Sequence, residues 1–155
     1  MVRERFRRIG RRGFGTLEMV VVVAVLGVVA ATATPSLLAA WRASAFAAGV
    51  VELSVALSRA RQIAVAENTS VCVQPVGAGV RLRTRGCTGA VWTGPGTDPT
   101  GLIRLSGDLD VAGEGAIVFT HLGGAVPAGT LTLSDRVTGR ARRVVVAATG
   151  QVSAP

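Results

Sequence analysis

The sequence predicts an α+β protein: one long N-terminal helix, transmembrane and then amphipathic, packed on an antiparallel β-sheet domain. Three observations predict it. The run from Phe14 to Thr34 is apolar and carries one charge, Glu18. From Ser36 to Glu67 there is no proline, and apolar residues recur at helical spacing. Past Asn68-Thr69 the apolar period changes to two, with Gly, Pro and Thr punctuating short runs.

The apolar run is 21 residues long, and a helix of that length rises about 30 Å, one hydrocarbon core. A carboxylate inside such a span is costly unless neutralised, so Glu18 reads as functional. Pro35 closes the run; lacking an N–H, it kinks a helix without necessarily ending it. Ahead of the run, residues 1–13 hold six arginines and one acid, Glu4. Arginines on one flank of an apolar span mark the cytoplasmic side. The whole chain carries +8, but without those residues 11 arginines face 8 acids, a net of +3. Most of the basic character therefore belongs to a targeting segment rather than to a nucleic-acid surface. A second reading makes Ala31-Thr32-Ala33 a secretory cleavage site; it leaves Glu18 without a purpose and puts Pro35 just beyond the cut.

In the second half of the helix Phe46, Val50, Leu53, Leu57, Ala60 and Ala64 are spaced 4-3-4-3-4, one apolar stripe. Glu52, Ser58, Arg59, Arg61 and Gln62 mostly take the other side, and Gly49 is the one weak helix former. A continuous helix from Phe14 to Glu67 would be about 80 Å long. The stripe reads as a packing face, with partner binding as the alternative.

Ser70–Gln74 and Val80–Arg85 read as a hairpin across Pro75–Gly79, with Val80, Leu82 and Thr84 on one face and Arg81, Arg83 and Arg85 on the other. Gly86–Gly101 reads as a loop carrying Trp92. Leu102–Ser106 and Ala116–Thr120 are further strands, with Gly107–Gly115 between them as a connection and Leu122–Gly129 as a loop. Thr130–Ser134 and Arg143–Ala148 form a last hairpin, followed by a tail from Thr149 to Pro155. The expected organisation is a leader over 1–13, a transmembrane half-helix over 14–34, an amphipathic half over 35–68 and a β-rich domain over 69–155.

Chemistry-bearing residues are few. There is no Tyr, one His and two Cys. No nucleophile–base set stands at a recognisable spacing, so the chain reads as no enzyme and calls for no cofactor. Asp108 and Asp110, between glycines, read as a turn. His121 reads as a surface residue. Cys72 and Cys87 suit a disulfide on the outer side of a membrane, with free thiols as the alternative; one histidine and two thiolates do not make a zinc site. Every basic residue is Arg. Arg81, Arg83 and Arg85, and separately Arg136, Arg140, Arg142 and Arg143, read first as solvated faces and second as phosphate contacts.

Gly13-Phe14, Glu18 at the fifth position after the cut, and Pro35 at the twenty-second, behind a basic leader, resemble the amino terminus of type IV pilins and type II secretion pseudopilins. Gly15-Thr16 stands where Thr-Leu is commoner in that family; a cut after Gly15 would make Glu18 the third residue, so the cut belongs between Gly13 and Phe14. Downstream, Ala116–Gly123, Gly129–Leu133, Arg142–Val146 and Thr149-Gly150 resemble the GspH/FimT group, where a Phe-x-x-x-Gly turn, a Thr-Leu hairpin and a terminal Thr-Gly-Arg recur. The resemblance implies a pilin-like fold and a structural subunit of a pilus or pseudopilus. It also implies cleavage after Gly13 and methylation of Phe14 by a prepilin peptidase. The partners would be other pilin or pseudopilin subunits, and the location a single inner-membrane pass with the C-terminal domain extracytoplasmic. The Glu18 carboxylate could then meet the freed Phe14 amine of a neighbour, a pairing that sets register because an unpaired buried charge is heavily penalised. Some FimT-like proteins are linked to DNA uptake through a terminal Gly-Arg-x-Arg. Here Gly150-Gln-Val-Ser153 lacks both arginines, and Gly139-Arg-Ala-Arg142 precedes the last strand. Nucleic acid bound at Arg140, Arg142 and Arg143 is the less favoured alternative.

Overall fold

Pro35 does not end the first helix. In the computed structural model, which describes residues 15–155, α1 runs Thr16–Ala66 with Pro35 inside it. A proline removes one ladder hydrogen bond, and a helix well supported on both sides absorbs that loss as a local distortion. The leader, Gly13 and Phe14 lie outside the described residues. The chain divides into two compact units, one up to Trp41 and one spanning Arg42–Pro155.

The described part of the first unit is helix alone. Every residue of its apolar run is exposed, and by length and composition α1 is able to cross a membrane.

The second unit holds the rest of α1 and eight strands. These are β1 (Val71–Val76), β2 (Gly79–Thr84), β3 (Leu102–Arg104), β4 (Leu109–Gly113), β5 (Ile117–Phe119), β6 (Gly129–Asp135), β7 (Ala141–Val146) and β8 (Val152–Ser153). They form two antiparallel sheets, ordered β3-β2-β1-β5 and β4-β6-β7-β8. The β1–β2 hairpin closes on Gly77-Ala78, with Val71 opposite Thr84 and Val76 opposite Gly79. That tight register sets Val71 and Val73 beside Val80 and Leu82 on the core face.

The helical stripe buries as its spacing predicts: Leu53, Leu57, Ala60 and Ala64 are wholly inaccessible. Alternating leucines with Gly49, Ala56, Ala60 and Ala64 lets the sheets approach the helix closely. A Cβ on Gly49 would meet Leu109 Cδ1 of β4 at 2.1 Å. Phe119, Ile117, Leu82, Leu131 and Leu133 fill the space between helix and sheets.

Two elements differ from expectation. The Gly107–Gly115 connection contains β4, whose Leu109 and Val111 are buried and alternate with Asp110 and Ala112. The flanking glycines and aspartates masked that period of two. The tail also contributes a strand, β8, with Val146 opposite Val152.

Side chains lock the connections. Glu52 of α1 accepts the Ser106 amide and hydroxyl, both at 2.7 Å, tying the β3–β4 link to the helix. Asp98 accepts the Thr100 hydroxyl and amide and the Leu102 amide, and Asp135 accepts the Val137 and Thr138 amides and the Thr138 hydroxyl. These bonds satisfy amides within the two turns and, at Leu102, the first amide of β3.

Candidate assembly helix and arginine faces

The first candidate surface is the start of α1. Glu18 lies in the helix's first turn, its amide bonded to the Gly15 carbonyl at 3.0 Å. Negative charge is favourable there because the first turn's amides point toward it. Around it Leu17, Met19, Val20 and Val21 are all exposed, so among the described residues Glu18 is the one acid on an otherwise apolar surface. Farther along, the hydroxyls turn inward onto the helix's own carbonyls. Thr32 Oγ1 donates to Val29, Thr34 Oγ1 to Ala30 at 2.7 Å, and Ser36 Oγ to Ala33 at 2.8 Å. Self-satisfied hydroxyls flanking Pro35 suit a helix with no water beside it.

The second surface is the outer face of the β1–β2 hairpin. Cys72 is joined to Cys87 with an S–S distance of 2.05 Å. Opposite Cys72 stands Arg83, which donates from Nε to Gln74 Oε1 at 3.0 Å and from Nη1 to the Gly89 carbonyl at 2.9 Å. Gln74 in turn donates to the Cys87 carbonyl. Arg83 is thus a clamp on the loop after β2, not a solvated charge. Arg85 has left the strand, with φ +63°, and the Arg81 Nε is buried. Arg81 and Arg83 share the outer face of β2 as the alternation predicts, but Arg85 lies past the strand's end, so the three do not form one solvated stripe.

The third surface involves Arg140, Arg142 and Arg143, all exposed. On β7, Arg142 is in phase with the buried Val144 and Val146, and Arg143 is in phase with Val145. Arg140 and Arg142 therefore border a hollow against α1, lined also by Phe46, Val50 and Val51. Arg143 stands on the opposite face beside Thr130, Thr132 and Glu114. Arg136, on the β6–β7 turn, reaches Asp110 at 3.4 Å; Asp110 is thus a strand residue with an ionic partner.

Some contributors were not legible in the sequence. Arg59 donates to the Pro95 carbonyl and covers the Trp92 ring at 5.8 Å, anchoring the loop before β3. Asp135 is nearly inaccessible; the Thr138 hydroxyl, then the Val137 amide, hold its carboxyl below the usual range. Asp98 is lowered to about 2, by the Thr100 hydroxyl first and the Leu102 amide next. Among the described residues no three His, Cys, Asp or Glu side chains gather where a metal could bind, and His121 is exposed in the turn after β5.

The turns at Phe119–Gly123 and Thr149-Gly150 meet. The turn after Phe119 ends at Gly123, the turn after β7 ends at Gly150, and the Ala125 amide bonds the Ala148 carbonyl between them. A long helix followed by two such sheets is comparable with known folds. The family model described as "Type II transport protein GspH" matches residues 50–150. The chain belongs to the GspH family. This GspH-family protein has the fold of the type IV minor pilin FimU of Pseudomonas aeruginosa, with a TM-score of 0.56 at 18% identity over 74% of this chain and 90% of that one. It is also similar in fold to the minor pseudopilin EpsH from the type 2 secretion system of Vibrio cholerae, with a TM-score of 0.52 at 11% identity, covering 68% and 92%. No curated protein sequence matches it significantly. Family membership rests on the family model, and the long helix and antiparallel sheets are the fold shared with those two structures.

Proposed function

We propose that this GspH-family chain is a structural subunit built into a type IV pilus or a type II secretion pseudopilus through its N-terminal helix, and that it catalyses nothing. The observation that carries this reading is the uncovered apolar surface from Leu17 to Val29 with a lone carboxylate, Glu18, in the first turn. Such a surface needs lipid or other helices around it. The leader over 1–13 stays on the cytoplasmic side, a prepilin peptidase cuts after Gly13 and methylates Phe14, and the 14–34 segment spans the inner membrane. The 35–68 half-helix and the 69–155 domain then lie outside the cytoplasm, in keeping with the Cys72–Cys87 bridge. As subunits pack, each Glu18 carboxylate is relieved only by the Phe14 amine of a correctly staggered neighbour, so it selects register. The DNA-uptake alternative draws less support, because Arg143 stands across the sheet from Arg140 and Arg142.

The test is recovery of assembled filaments and mass spectrometry of their subunits. The mature chain is expected to begin at methylated Phe14, and Glu18→Ala subunits are expected to be cleaved yet to stay in the membrane. A different amino terminus, or normal assembly of the Glu18→Ala subunit, would refute the reading.

A further inference from the structure

Within the second unit, three hollows run end to end along one flank of α1. The first, about 660 Å³, is bordered by Phe46, Val51, Arg140, Arg142 and Ala154. The second, about 640 Å³, shares Val50, Val51 and Ala154 with it and continues past Val55 and Val152. The third shares Ser58, Gln62 and Val152 with the second and ends at Arg61 and Gly150. One wall is α1; the other is Arg140, Ala141 and Arg142 at the start of β7 with Ala154 in the first hollow, and β8 with its neighbours Gly150, Gln151 and Ala154 in the other two.

β8 is the last strand of its sheet, so its outer edge carries main-chain groups that no strand pairs among the described residues. The helix wall beside it is apolar and open: Val51 and Val55 are 62% and 61% exposed. The rim is basic. Arg140, Arg142, Arg59 and Arg61 border the three hollows, and no acid does. Arg59 is already engaged by the Pro95 carbonyl and Trp92, whereas Arg140 and Arg142 face no acid within ion-pair distance among the described residues.

We propose that this groove receives an extended segment of a partner protein, alternating acidic and apolar residues, that adds as a strand to the open edge of β8. The three features call for different parts of one ligand. Main-chain amides and carbonyls answer the β8 edge, alternate apolar side chains cover Val51 and Val55, and the intervening carboxylates meet Arg140 and Arg142 in charge-assisted hydrogen bonds. A nucleic-acid strand would satisfy the arginines but offer no strand edge and no aliphatic side chains to the valines, so the peptide is favoured. The site lies wholly within the second unit and does not depend on how the helix is anchored.

The test uses the full chain in detergent micelles and a labelled peptide alternating Val and Asp, read by fluorescence anisotropy. Saturable binding is expected, weakened roughly tenfold or more in Arg140→Ala/Arg142→Ala and unchanged in Arg143→Ala, which lies across the sheet. The Val/Lys counterpart is expected not to bind. All three arginines are exposed, and circular dichroism checks that the variants remain folded. Hydrogen exchange at Val152, whose amide points away from β7 in this register, is expected to slow when the peptide is bound. Absence of saturable binding, equal binding of the lysine peptide, or indifference to the double variant overturns the proposal. An unprotected Val152 amide in the bound state overturns strand addition. A short single-stranded oligodeoxynucleotide that binds where the acidic peptide does not overturns it in favour of nucleic acid.

Discussion

Gly150 lies back to back with Gly123: a Cβ built on Gly150 would stand 1.9 Å from the Gly123 carbonyl oxygen. Both have left-handed backbones, with φ +77° and +82°, and a Cβ on either would also stand about 3 Å from Arg61 Nε of α1. Two turns far apart in sequence thus meet beneath a helix side chain, which gives a steric reason for glycine at both positions.

Replacing Gly150 by alanine should therefore cost more than ordinary backbone strain. Gly139 is the control, since it has φ +68° but nothing within 4 Å of its virtual Cβ. Gly139→Ala should lose about 1 kcal/mol and Gly150→Ala about 3 kcal/mol or more, as the backbones must part. Urea unfolding of the full chain in detergent measures both, and equal losses would refute the steric account.

Acid should weaken the sheet domain over a narrow window. The Thr100 hydroxyl and Leu102 amide lower Asp98 to about 2, and the Thr138 hydroxyl and Val137 amide lower Asp135. In the unfolded chain both titrate near the ordinary value of about 3.9. Their contribution is thus complete above that pH and is lost as pH falls through the folded values. Stability should hold from neutral pH to about 5 and fall between roughly pH 4 and 2. Asp98→Asn/Asp135→Asn should flatten that fall in denaturant midpoints measured across the range; an unchanged slope would count against it.

Removing the bridge should loosen the same loop that Arg83 clamps. A separation of 15 residues corresponds to about 3 kcal/mol of lost loop-closure stabilisation in Cys72→Ser/Cys87→Ser. In that background Arg83→Ala should cost more than in the oxidised protein, because the bonds to Gln74 and Gly89 become the loop's main ties. A thermal-unfolding double-mutant cycle reads the coupling, and strict additivity would show that the clamp and the bridge act separately.

Charge and period misled where they were read without neighbours. Arg81, Arg83 and Arg85 alternate as a solvated stripe should, yet Arg83 is consumed by Gln74 and the Gly89 carbonyl. Arg142 and Arg143 are adjacent in sequence, and that adjacency sends them to opposite faces of β7. Asp108 and Asp110 suggested a turn because glycines bracket them, but Leu109 and Val111 had a core to enter.

The sequence by itself determined the long helix, the apolar run with its single acid, the buried stripe from Val50 to Ala64, and the two hairpins. Each depends on a period or a run that a few adjacent residues carry. Only the tertiary structure decided that β5 lies beside β1, that β4 lies beside β6, that β8 closes the second sheet, and that Gly123 meets Gly150 under Arg61. Pairings of that kind are chosen by burial and register between distant segments, and no local period encodes which distant strand will be the neighbour.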